Sequence, residues 1–215
     1  VWGVDMLSEA ALVSFIASLF SMMNPVGNVG VFAGMTAGRS TKETRGIAWT
    51  CAMSVTITLV IVAWAGPQLL AFFGVTVDSL RAASGLIVLL IGLHMLFNKS
   101  EHKQSREELD DARSRDSIAV VPLTIPIVAG PGTMATVLVA AQQSPSVLSK
   151  VEISIVIAVI SILLGVLFSF ASPIAKLIGE SGMGVVTRVM GLILAAIAMG
   201  MLTEGLQALL PGLAG

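Results

Sequence analysis

Apolar residues run in long blocks along this chain, and polar residues collect in the gaps between them. A helix that crosses a bilayer needs about 20 predominantly apolar residues. Six blocks meet or approach that length: residues 7–35, 46–72, 80–97, 118–142, 151–175 and 184–210. One polar segment is long. Residues 98–117 carry five basic and six acidic side chains, the composition of a solvated linker. The pattern predicts an all-α polytopic membrane protein with six transmembrane helices.

Two blocks are interrupted. The first contains Asn24-Pro25-Val26-Gly27-Asn28, the fourth Ala129-Gly130-Pro131-Gly132-Thr133. Proline removes an amide hydrogen and clashes with the preceding turn, and glycine loosens the backbone. Inside hydrocarbon such a break is costly, because freed backbone groups find no water. Adding 106 takes Pro25 to Pro131, Pro67 to Pro173 and Gly85 to Gly191. Between Gly85–Leu96 and Gly191–Leu202, six of twelve positions are identical. The chain therefore divides into a first three-helix repeat (1–97), a polar cytoplasmic linker (98–117) and a second three-helix repeat (118–215). The first and fourth helices are discontinuous.

Charge sets the orientation. With the N-terminus outside, ten Lys and Arg fall in cytoplasmic loops and two, Arg81 and Lys150, fall outside. Both termini are expected outside the cytoplasm. Three spans per repeat is an odd number, so the second copy would enter from the opposite face, an inverted-topology repeat.

Composition narrows the chemistry. Charged residues make up 12% of the 215, and the net charge is −1. No basic patch exists to neutralise phosphates, so no nucleic-acid partner is expected. The single cysteine, Cys51, excludes an internal disulfide and reads as a small apolar residue in a span. HExxH, Walker and GxSxG motifs are missing, so the chain is not expected to be an enzyme, and neither a metal nor a cofactor is expected.

The breaks are the candidate site. The start of a half-helix offers unpaired amides and a positive dipole end, which suits an anion, and the end of the preceding half-helix offers bare carbonyls. Two such breaks meeting near the midplane would hold a zwitterion without any charged side chain. Asn24, Pro25, Val26, Gly27 and Asn28 form the first half of this predicted site. Gly130, Pro131, Gly132 and Thr133 form the second, with Thr124 as a further hydroxyl. Glu9 and Glu204 read as interfacial, Asp78 and Arg81 as a pair or cap, and Arg81 and Arg188 as anchors or bonds between the repeats.

Several runs together resemble the MarC family, the neutral amino acid transporter family, in its SnatA-like form. They are the Asn-Pro-x-Gly break, Val121 to Thr133 (VPLTIPIVAGPGT), Asp78-Ser-Leu-Arg81 running on to Gly85, and Val186-Thr-Arg188 running on to Leu192. The resemblance covers about residues 7–213. It implies a six-span protein of the prokaryotic inner membrane that takes up glycine, alanine and similar small neutral amino acids. Uptake would be coupled to an ion gradient, H+ or Na+. The expected function is a secondary active transporter working by alternating access. The alternatives are an exporter of amino acids or other small polar solutes, a channel, or a non-transporting membrane scaffold.

Overall fold

The structure, a computed structural model, describes residues 7–97, 128–143, 145–210 and 212. Among these residues every regular element is helical. The helices are α1 (Glu9–Met23), α2 (Asn28–Met35), α3 (Thr41–Phe72), α4 (Val77–Phe97), α5 (Pro131–Gln143), α6 (Val147–Ser169) and α7 (Ala171–Leu209). Five segments are long and apolar enough to cross a membrane: Glu9–Met35, Thr41–Phe72, Val77–Phe97, Val147–Ser169 and Ser181–Leu209. The fourth expected span is represented by α5 alone, which has 13 residues. Its first half, with Pro122, Thr124 and Pro126, and the 98–117 linker lie outside the described residues.

Local chemistry explains the helix boundaries. Ser40 and Glu43 form a reciprocal capping box that starts α3 five residues before its apolar block. Ser146 caps α6 by accepting from Ser149 N–H at 3.0 Å. These two caps are 106 residues apart. Gly74 (φ 66°) reverses the chain between α3 and α4, and Gly179 (φ 71°) kinks α7. Both angles are left-handed, which glycine adopts without steric cost. The second span ends at residue 72 as expected, and the fifth ends six residues short of the expected 175. The α3 helix runs through Pro67 to Phe72, whereas α6 stops at Ser169. Pro173 falls in the first turn of α7, where an amide hydrogen has no intrahelical partner to lose.

Packing joins the two halves of the chain. The α4 helix lies against α7, and α3 lies against α6. Apolar side chains gain little from leaving lipid for one another, so close approach of backbones decides helix association. A Cβ on Gly85 would lie 2.7 Å from Leu202 N, one on Gly92 would lie 2.8 Å from the Gly191 carbonyl, and one on Gly205 would lie 2.6 Å from Ala82 N. Numbers rise on α4 as they fall on α7, so this pair is antiparallel. The same holds for α3 and α6. Trp64 Nε1 donates to Ser154 Oγ at 3.1 Å near one end, and the Arg45 guanidinium sits 5.8 Å from the Phe170 ring at the other. The core between them holds Leu19, Met23, Leu59, Ile153, Ile157 and Leu164, with Phe32 stacked on Phe168 at 4.4 Å. Cys51 is buried in this core. Outward faces stay apolar, with Ile57, Ile61, Val159 and Leu192 more than half exposed, as lipid contact requires.

Candidate functional site

The first break is made by Asn24 rather than by Pro25. Asn24 ends α1 in the left-handed region at φ 46°, and among the described residues no other non-glycine has a positive φ. That conformation costs an L-residue about 1–2 kcal/mol, and asparagine is one of the few that visit it. Asn24 then caps the next helix. Its Oδ1 accepts from Gly27 N–H at 3.1 Å and its carbonyl accepts from Asn28 N–H at 3.0 Å. Asn28 reaches back, donating from Nδ2 to the Met23 carbonyl at 3.1 Å. Gly27 and Gly30 do not loosen this segment. A Cβ on Gly27 would overlap the Asn24 amide, and one on Gly30 would lie 3.0 Å from Met183 Cε. Both glycines make room for a neighbour.

The second break shares the plan with fewer side chains. Pro131 is the first residue of α5, a position where its missing amide hydrogen costs nothing. The Gly130 carbonyl accepts from Met134 N–H at 3.0 Å, as Asn24 does for Asn28. Thr133 Oγ1 donates to the Val128 carbonyl at 2.8 Å, spanning five residues as Asn28 does to Met23. Gly130 has no side chain to cap α5. The amides of Gly132 and Thr133 belong to the first turn, where an α-helix supplies no acceptor.

Both breaks open onto one cavity of about 240 Å³. Asn24 and Asn28 line it from the first break, and Gly130, Pro131, Gly132 and Thr133 from the second. Pro25, Val26 and Gly27 do not line it, and Thr124 lies outside the described residues. Pro25 and Gly27 are buried behind it, and Val26 is turned outward with 38% exposure. The walls come from Met22, Val88, Ile91, Met95 and Leu194, which sequence reasoning missed. Two signals mark them. Val88, Ile91 and Met95 repeat at helical spacing on one face of α4. Val88 and Leu194 are themselves 106 apart. Among the described residues, no lining side chain is ionisable. A larger hollow of about 360 Å³ opens outward between α6 and the start of α7, but Val166, Leu167, Phe170, Pro173, Ile174 and Leu177 offer no polar side chain to fix a solute.

Each asparagine commits one amide atom to the backbone. Asn24 Nδ2 and Asn28 Oδ1 have no hydrogen bond among the described residues, although the side chains are nine-tenths buried, at 4% and 8% exposure. The titratable groups lie elsewhere. Arg81 Nη1 pairs with Glu204 Oε2 at 3.3 Å and with Asp78 Oδ1 at 4.0 Å, so it joins α4 to α7. Arg188 is exposed.

Residues 10–210 match the family model described as MarC family integral membrane protein. The chain belongs to the MarC family. Relatives include the UPF0056 membrane protein YhcE of Escherichia coli (strain K12), 33% identical over 200 residues and covering 93% of each chain. A second is the UPF0056 membrane protein YvbG of Bacillus subtilis (strain 168), 34% identical over 202 residues, covering 93% of this chain and 96% of that one. No solved structure matches the chain. This MarC protein is thus an integral membrane protein with several apolar helices, and the relatives' names give no activity.

Proposed function

We propose that this MarC protein is a secondary active transporter of small neutral amino acids, glycine and alanine foremost, of the SnatA-like kind. The observation that carries the reading is the cavity itself, bordered by the break after α1 and the start of α5 and lined by two buried asparagines with no charged side chain among the described residues. Its volume of about 240 Å³ falls below the roughly 300 Å³ at which pockets for drug-sized ligands begin. A net charge would be expensive there, because none of the described lining residues is ionisable and able to pair with it. A small zwitterion matches both size and polarity.

Alternating access needs two halves that can rock about such a site. We assign residues 1–97 and 118–215 as inverted three-helix repeats joined by a cytoplasmic linker. Two features support this. Gly85 meets Ala198 and Leu202, and subtracting or adding 106 turns that contact into Gly191 meeting Gly92 and Leu96, which is also present. Helices related in this way run antiparallel, as copies inserted from opposite faces must. The Lys and Arg distribution supports a topology with both termini outside the cytoplasm, and the reading sets the protein in a prokaryotic inner membrane. H+ or Na+ would be the coupling ion. The test is purified protein in liposomes. Saturable, gradient-dependent glycine uptake is the expected result. Linear, unsaturable flux would indicate a channel, and no flux a scaffold.

A further inference from the structure

The two breaks do not offer the same chemistry to the cavity, and the difference orients a ligand. Resting on the transport reading above, we propose that the substrate lies in one direction only. Its carboxylate faces Asn24 Nδ2 and the Gly132 and Thr133 amides, and its ammonium faces Asn28 Oδ1.

The argument begins with the amides. An asparagine side chain can present either end, and its orientation has to be read from its hydrogen bonds. Both orientations here are fixed by the backbone. Gly27 N–H requires an acceptor, so the oxygen of Asn24 faces it at 3.1 Å and Nδ2 is left over. The Met23 carbonyl requires a donor, so the nitrogen of Asn28 faces it at 3.1 Å and Oδ1 is left over. One leftover atom is a donor, the other an acceptor, and both residues line the cavity.

The helix starts add to the same polarity. The α2 start has spent the amides of Gly27 and Asn28, which bond to Asn24, and of Val29, which bonds the Val26 carbonyl at 3.2 Å, and Val26 itself is turned away from the cavity. At the α5 start the Gly132 and Thr133 amides have no acceptor among the described residues, because Gly130 provides no capping side chain. Unspent amides with the positive dipole end favour an anion. Asn24 Nδ2 is an independent donor facing the same space. The carboxylate therefore goes to the side of Asn24, Gly132 and Thr133.

The variant Asn24→Asp tests this. It keeps an oxygen for Gly27 N–H but replaces the leftover donor with an acceptor. Glycine and glycinamide, which has the ammonium but no carboxylate, are titrated calorimetrically against the full-length protein in detergent. Glycine affinity should fall by about tenfold or more, the loss that follows from a charge-assisted hydrogen bond. Glycinamide affinity should change by less than about threefold, roughly the worth of one weak contact. Equal weakening of both ligands, or of neither, overturns the orientation. If Asn24→Asp does not fold, the wild-type protein decides. Glycine labelled with 13C at the carboxyl should show dipolar coupling to 15N side-chain amides of asparagine, and its absence overturns the proposal. Wild-type protein that binds no glycine removes the transport reading as well. Wild-type binding with the wrong Asn24→Asp pattern removes the orientation alone.

Discussion

At the first break a side chain does most of the work. Asn24 turns the chain at φ 46°, bonds Gly27 N–H through Oδ1 and receives Asn28 N–H on its carbonyl. At the second break Pro131 begins the helix, the Gly130 carbonyl accepts from Met134 N–H, and one hydroxyl, that of Thr133, satisfies the Val128 carbonyl. The two breaks stand at equivalent positions, 106 residues apart, and both satisfy a carbonyl left behind, that of Met23 or of Val128. They differ in what remains for a ligand. The capped break presents side-chain amide atoms, and the uncapped one presents main-chain amides. Positional equivalence along the chain therefore does not carry chemical equivalence, because a cap consumes the groups that an uncapped helix start leaves open.

Substitutions at four positions would break or sharpen that contrast. The largest effect is expected for Gly132→Val. A Cβ there would collide with Val88 Cγ2 and lie 3.1 Å from Met22 Sδ. Overpacking of this kind costs about 1–3 kcal/mol or more, and valine should sit at the upper end. Thermal unfolding in detergent should show a clear drop together with lost glycine uptake. An unchanged melting temperature would mean that the second break is roomier than described.

Asn24→Ala comes next. It loses both the cap and a residue suited to positive φ, for about 2 kcal/mol in total. This variant therefore weakens the fold as well as the site. Asn24→Gly should regain the conformational part and melt between the alanine variant and wild type. Equal melting of the two would remove the left-handed turn from the account.

Thr133→Val should cost about 1–2 kcal/mol, since the buried Val128 carbonyl loses its donor. Thr133→Ser should restore most of that. If valine and serine melt alike, the hydroxyl does not hold the second break together. Glu204→Gln is the smallest, within about 1 kcal/mol, because Glu204 is 65% exposed and water screens its pair with Arg81. A larger loss there would shift the weight of the fold from the breaks to the α4–α7 seam.

The sequence by itself determined the membrane class, the approximate extent of five spans, the break after α1 and the start of α5 at Pro131. Apolar block length and proline position express these directly, since they depend on residues close together in the chain. It also contained the 106-residue offset, which recurs in the Ser40 and Ser146 caps. The finer geometry depended on neighbours distant in the chain or on backbone angle. That Asn24 rather than Pro25 reverses the chain is a matter of φ. That Gly27 and Gly132 are small because Asn24, Val88 and Met22 press on them is a matter of contact. Only the tertiary structure decided which predicted residues share a cavity, bringing six of nine together with walls from α4 and α7. A side chain's direction is set by what packs behind it, and for this site much of that packing comes from residues on other helices.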